Sequence, residues 1–361
     1  MPTGAPVTGS SAIPGAIPAA RRVGAGAAPG SVAELVSAAR AGSIRATARL
    51  LTVVENGGRP AAEVAAELTG LPRAAQVIGI TGAPGAGKST LTGALLRRLR
   101  TGDDTRPART VAVLAVDPSS PFSGGALLGD RVRMADHVTD PGVFIRSMSS
   151  RGSLGGLAAG TPAAVDLMSA LGFEFVIIET VGVGQSEVDV MHLADTVVVV
   201  LAPGMGDGVQ AAKAGIMEIA DLLVVNKADH EGTRTTIREL RSMVALGRSG
   251  TAAAGSWRIP VLATVASDGT GVDELATALA EHRDHLVTSG ELAARQARRA
   301  GAAVESVVLE RVRRALGGSN GRRELAAAAD AVVAGTTDHH RAAEAVIDWL
   351  RAPADPSTAP T

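Results

Sequence analysis

The sequence predicts an α/β fold, a mostly parallel sheet with flanking helices and helical extensions at both ends. Three observations point to it. Short apolar runs of strand length recur between residues 77 and 264, with helix-like stretches between them. One run leads into a glycine-rich loop that opens a helix. The flanks, 31–72 and 277–351, carry helical periodicity only.

Each element has its own signal. Residues 1–30 hold 19 Ala, Gly or Pro, and no acidic residue precedes Glu34. With no apolar h-region, the stretch reads as a disordered leader rather than a secretory signal. Ser31-Val32-Ala33-Glu34 is a capping box, opening a helix through Leu35, Ala39, Ile44, Ala48 and Leu51 to Asn56. A shorter helix fits Ala61 to Leu68, and Gly70 and Pro72 close this N-terminal extension, 31–72. The expected strands are Val77–Thr81, Thr110–Val116, Phe173–Glu179, Thr196–Ala202, Leu222–Val225 and Ile259–Thr264. They place an α/β domain over 73–276. A long helix from Thr277 to Leu316 and two more, Arg322–Ala334 and Asp338–Leu350, form a C-terminal arm, 277–351, before a Pro/Ala tail, 352–361.

Composition narrows the function. The chain of 361 residues is 46% apolar and 20% charged, and its 35 basic and 36 acidic side chains leave a net charge of −1. That balance offers no electrostatic footprint for nucleic acid or an anionic membrane. No apolar run approaches the ~18 residues of a membrane span. Zero cysteines exclude disulfides, thiolate metal sites and cysteine nucleophiles. A soluble, cytoplasmic protein is expected. Only three basic residues are lysines, Lys88, Lys213 and Lys227. In an arginine-biased sequence, a retained lysine marks a place for a compact ammonium on a flexible stem.

Gly82-Ala83-Pro84-Gly85-Ala86-Gly87-Lys88-Ser89, followed by Thr90, matches GxxxxGK[ST] between the strand Val77–Thr81 and an amphipathic helix from Lys88 to Leu99. The glycines let backbone N–H groups curl around a phosphate, and the helix N-terminus adds partial positive charge. Lys88 would bridge β- and γ-phosphate oxygens, and the Ser89 hydroxyl would bind Mg²⁺. An ordinary glycine-rich turn would not need a Lys-Ser pair at the start of the helix.

Asn226-Lys227-Ala228-Asp229 follows the strand Leu222–Val225. NKxD at a strand end reads as guanine recognition: the Asp229 carboxylate accepts from guanine N1–H and the 2-amino group, and Lys227 packs across the base. Adenine would leave that carboxylate unpaired. After Ile259–Thr264 come Val265, Ala266 and Ser267, where the Ala266 amide could reach the guanine oxygen. Glu179-Thr180-Val181-Gly182 stands where GTPases usually carry DxxG, so the Gly182 amide could sense the γ-phosphate and Glu179 hold Mg²⁺ through water. Val183 occupies the usual place of the water-orienting Gln, with Gln185 out of register, so slow intrinsic hydrolysis accelerated by a partner is expected. Asp117, at the end of Thr110–Val116, and Asp130 are further candidate Mg²⁺ or water-positioning carboxylates.

Several stretches then read as a set. Val116-Asp117-Pro118-Ser119-Ser120-Pro121, Ser123 to Arg131, Arg146 to Leu157, Glu179 to Glu187, and Pro203 to Asp221 resemble the methylmalonyl-CoA mutase-associated GTPases, the MeaB/ArgK family. The resemblance implies a P-loop GTPase that binds GTP/GDP and Mg²⁺ and pairs as a homodimer through its C-terminal helices. It also implies a chaperone role for an adenosylcobalamin-dependent acyl-CoA mutase, gating cofactor loading and protecting the mutase. By position, Lys88 and Ser89 serve phosphates and Mg²⁺, and Asp117, Asp130 and Glu179 become magnesium-centre or catalytic acids. Gln185 and Lys213 fall in segments coupled to the partner. The C-terminal region around Thr337-Asp338-His339-His340 lacks the family's aromatic-containing pattern, and the leader has no family counterpart. A nucleotide-dependent kinase linked to amino-acid transport and a metallochaperone are the alternatives. The first would need an acceptor pocket, the second Cys/His ligands.

Overall fold

The computed structural model describes residues 30–102, 107–117, 137, 139–149, 160–180, 193–204, 219–247 and 256–352. Among them is a seven-stranded sheet, every pair parallel, in the order β3-β2-β4-β1-β5-β6-β7. The strands are β1 (Gln76–Thr81), β2 (Val111–Asp117), β3 (Val143–Ser149), β4 (Phe175–Thr180), β5 (Thr196–Leu201), β6 (Leu222–Asn226) and β7 (Val261–Thr264). Continuous apolar runs suit strands covered on both faces. Alternate side chains enter two cores: Val197, Val199 and Leu201 one, Val198 and Val200 the other.

The first core is closed by α1 (Val32–Arg40), α2 (Ile44–Asn56), α3 (Gly58–Glu67), α5 (Thr161–Leu171) and α6 (Thr233–Gly247), the second by α4 (Lys88–Arg100) and α7 (Val272–Ser289). Leu50 and Leu51 of α2 are fully buried, so the N-terminal extension is part of the main core. Beyond α7 run α8 (Glu291–Gly317), α9 (Ser319–Val333) and α10 (His339–Arg351), largely exposed.

Several sequence expectations are corrected. The helix read from Ser31 to Asn56 is two: Gly42 takes φ +92°, and Ser43 starts α2 by accepting the Ala46 N–H at 3.3 Å. The capping box at Ser31 is present, with Glu34 accepting the Ser31 N–H. The long helix from Thr277 starts instead at Val272 and breaks at Gly290, whose φ of +78° caps α7 and opens α8. The expected border at 276/277 thus falls inside a helix that packs on the sheet. Strand β3 is absent from the sequence reading because Arg146, Ser147 and Ser149 interrupt its apolar pattern. Phe144 and Met148 enter the core while Arg146 pairs with Glu55 of α2 at 2.7 Å.

Two acids at the opposite end of the sheet from the P-loop pin the arm. Asp195, just before β5, accepts the Val77 N–H at 2.9 Å and Arg299 Nη1 at 2.7 Å. Asp221, just before β6, accepts the Val197 N–H at 2.8 Å and both terminal nitrogens of Arg295 at 2.6 and 2.8 Å. His282, fully buried, joins them: its Nδ1 lies 2.9 Å from Thr196 Oγ1 and its Nε2 3.4 Å from Asp221. Burial pushes Asp221 up, but hydrogen bonds from His282 and Arg295 outweigh it and hold the carboxyl below its ordinary range.

Candidate functional site

Parallel strands place their carboxyl ends along one edge, and loops leaving that edge form the crevice in which α/β proteins bind ligands. Here the edge carries Thr81, Thr180, Asn226 and Thr264, all buried, each the last residue of its strand.

The loop 82–87 leaves β1 and turns into α4. Gly82, at φ +134°, passes so close to Val200 that a Cβ would strike its carbonyl oxygen. Gly87, at φ +90°, is the residue before α4, and a Cβ there would strike Asn226 Nδ2. Both positions admit only glycine, through backbone hand and through space. Lys88 folds over the loop, its ammonium donating to the carbonyls of Gly82 at 2.6 Å and Ala83 at 3.2 Å. Ser89 Oγ donates to Glu179 Oε1 at 2.5 Å, and Glu179 is fully buried. Glu179 reaches this point because β4 pairs with β1, Ile80 opposite Glu179. Behind it, Thr180 Oγ1 donates to Thr81 Oγ1 at 3.1 Å.

Asn226 joins the phosphate loop to the base loop. Its Nδ2 donates to the Ala86 carbonyl at 2.9 Å, and its Oδ1 accepts from Thr264 Oγ1 and from the Ala266 N–H, both at 3.1 Å. The Ala266 amide, expected to face a base oxygen, is therefore engaged by Asn226. Lys227 has φ +57°, the only positive value outside glycine among the described residues, and its carbonyl accepts the His230 N–H at 3.0 Å. A left-handed turn at a non-glycine residue costs roughly 1–2 kcal/mol. The Lys227 and Asp229 side chains are exposed to solvent, as is Ser267. Val265 and Thr270 bridge the base loop, and the Thr270 N–H holds the Asp268 carboxyl below its ordinary range.

The structure thus brings together Gly82, Ala83, Ala86, Gly87, Lys88, Ser89, Glu179, Asn226 and Ala266. Pro84, Gly85 and Thr90 continue the same loop and helix, and Val265 and Ser267 flank Ala266. Asp117 closes β2, in register with Ser149. Asp130, Gly182, Gln185 and Lys213 lie outside the described residues. Sequence reasoning missed Thr264, Thr81 and Thr180. Their signal was a threonine as the last residue of its strand.

A seven-stranded parallel sheet with this loop between β1 and α4 defines the class as a P-loop GTPase fold. The chain belongs to the methylmalonyl-CoA mutase-associated GTPase MeaB family, whose model matches residues 47–320. A Pyrococcus abyssi protein named as a GTPase is 48% identical over 275 residues, 76% of this chain and 83% of that one. GTPase ArgK of Escherichia coli is 40% identical over 220 residues, 60% of this chain and 63% of its own. The mouse mitochondrial methylmalonic aciduria type A homolog is 39% identical over 222 residues, 61% of this chain and 52% of its own. Among solved structures, one described as a LAO/AO transport system kinase superposes with a TM-score of 0.61 at 25% identity, covering 90% of this chain and 99% of that one.

Proposed function

We propose that this chain hydrolyses GTP to GDP and phosphate in the cytoplasm and uses the cycle as a chaperone of an adenosylcobalamin-dependent acyl-CoA mutase. The observation that carries the guanine-nucleotide reading is Asn226, hydrogen-bonded at once to the phosphate loop through Ala86 and to the base loop through Ala266. One side chain thereby sets the distance between a phosphate site and a base site. The mutase-associated family and the mouse relative's name support the choice of partner.

In this reading the backbone N–H groups of residues 82–87 hold the β-phosphate. Lys88 leaves the Gly82 and Ala83 carbonyls to meet β- and γ-phosphate oxygens. Asp229 and Lys227 read the base, and the Gly182 amide senses the γ-phosphate. The donor set at the loop's end fits a hard cation: the Ser89 hydroxyl and Glu179 carboxylate are both oxygens, already in contact and buried. Ser89 and Glu179, with Asp117 and Asp130, would hold Mg²⁺, which when bound neutralises charge developing on the phosphates. Lys213 and Gln185 couple the site to the mutase.

A second copy of the chain completes the assembly. Val304, Val307 and Val308 of α8 are at least half exposed at i, i+3, i+4 spacing, an apolar face that supports pairing through the arm.

The test is GTP turnover by the purified protein, alone and with the host's adenosylcobalamin mutase, with Lys88→Ala as control. A slow basal rate rising many-fold with the mutase, and lost in the variant, is expected. Wild-type turnover in Lys88→Ala would overturn the phosphate assignment, and phosphate transferred to anything but water would replace hydrolysis with a kinase reaction.

A further inference from the structure

Successive residues of a strand send their side chains to opposite faces of the sheet. In β4, Ile177 enters the core under α4 and Ile178 the other core. Glu179 follows Ile177 onto the α4 side, where it meets Ser89, and Thr180 follows Ile178 onto the opposite face. In β1, Thr81 lies on that same face, two rungs on from Gly79 and four from Val77. There the hydroxyls of Thr81 and Thr180 meet at 3.1 Å, both residues fully buried and 99 positions apart in the chain.

The backbone register between β1 and β4 runs from Gln76–Phe175 to Ile80–Glu179. Thr81 and Thr180 are the next pair in that register, and their side chains join them. On its other side Thr180 pairs with Val116 of β2. Three strands therefore diverge from one row: Gly82 of the phosphate loop follows Thr81, Asp117 follows Val116, and Glu179 immediately precedes Thr180. Other buried threonines, Thr47 and Thr236, donate to a carbonyl one turn back in the chain. The Thr81–Thr180 bond instead ties two strands at the edge that carries the site, as Thr264 and Asn226 tie β6 to β7 at the base loop. A pair of valines would fill the same space with no hydroxyl to desolvate, so packing alone does not call for two hydroxyls here.

We propose that the Thr81–Thr180 pair positions the Mg²⁺ centre, given Ser89 and Glu179 as the ligands proposed for this chain. The bond closes the sheet on the face opposite Glu179. It fixes how far the end of β4 stands from β1, and so from the helix that the loop after β1 opens. The Glu179 carboxylate is thereby held at Ser89 by the sheet itself. The two threonines act through Glu179 from the far face, which makes them positioning residues and not catalytic ones. Residues that orient a metal ligand without touching the metal typically govern 10- to 100-fold of metal affinity.

The test titrates Mg²⁺ into the GDP-bound full chain by calorimetry, and GDP into the metal-free chain in EDTA. Thr180→Val should weaken Mg²⁺ binding by roughly tenfold. Its GDP affinity in EDTA should stay at the wild-type value. Thr180→Ser, which keeps the hydroxyl, should bind Mg²⁺ as wild type does. The double variant Thr81→Val/Thr180→Val leaves no buried hydroxyl without its partner. Replacing both partners by apolar groups of the same shape is nearly neutral for stability, so its melting temperature should match wild type while its Mg²⁺ affinity stays low. If Thr180→Val alone fails to fold, the double variant decides. Unchanged Mg²⁺ affinity, an equal loss of GDP affinity in EDTA, or recovery of Mg²⁺ affinity in the double variant would overturn the proposal and leave the pair a packing feature. A wild-type GDP complex that takes up no Mg²⁺ would also overturn it while leaving the phosphate site standing. A wild-type chain that binds no GDP would overturn the nucleotide reading along with it.

Discussion

Asn226 makes three hydrogen bonds with its side chain, to Ala86, Thr264 and Ala266, while 2% exposed. Its removal strands buried groups on two loops at once, and an unsatisfied buried group costs about 1–3 kcal/mol. Asn226→Ala should therefore weaken GTP binding by roughly 10- to 100-fold, since about 1.4 kcal/mol is tenfold. Titration calorimetry checks this, and an unchanged dissociation constant would show that the two loops hold their spacing without it. Legibility at this scale was uneven. Lys88, Ser89, Asn226 and Asp229 could be found from spacing because each motif is continuous in the chain. The Ser89–Glu179 contact and the engagement of the Ala266 amide could not, because their partners lie 90 and 40 residues away.

At the scale of elements, α2 shows how an appendage in sequence becomes core in space. Leu50 and Leu51 are fully buried among side chains of the sheet's first face and α5. Leu51→Ala should cost about 2–5 kcal/mol of stability, the range for truncating a buried leucine. Urea unfolding with an unchanged m-value would report it, and a loss under 1 kcal/mol would mean that α2 is only loosely docked. The arm behaves differently. In α8, Arg299 is the single buried residue, and Val304, Val307 and Val308 face outward. If the arm pairs with a second copy, Val308→Glu should convert a dimer into a monomer in sedimentation analysis while leaving the melting temperature close to wild type. Strand β3 is the element that sequence periodicity missed. At a sheet edge Arg146 can replace an apolar residue, because Glu55 and Thr52 of α2 receive its guanidinium.

For the whole molecule, the far end of the sheet is held by Asp195 and Asp221, which tie strand starts to the first turns of α8. Removing one member of a buried pair leaves an uncompensated charge and costs about 3–5 kcal/mol. Asp221→Asn should destabilise the protein by that order at pH 7, leaving Arg295 without its anion. The pH dependence follows from the direction of the shift. A carboxyl held below its unfolded value stabilises the fold above about pH 3.9, the ordinary aspartate value, and that contribution is lost as pH falls through the folded-state value. The gap between wild type and Asp221→Asn should accordingly be widest near neutrality and narrow below pH 4 in thermal melts. A gap independent of pH would mean that the carboxylate's charge does not hold the arm.

By itself the sequence determined the fold class, six of the seven strands, the phosphate loop and the base motif, because each is written in neighbouring residues. A loop that must turn with positive φ needs glycine, and a strand covered on both faces needs an unbroken apolar run. Tertiary structure alone decided which strand lies beside which. It thereby decided that Glu179 meets Ser89, that Asn226 spans two loops, and that residues 31–72 belong to the core. Those outcomes depend on contacts between residues far apart in the chain, whose pairing is settled only when the sheet assembles and its faces are covered.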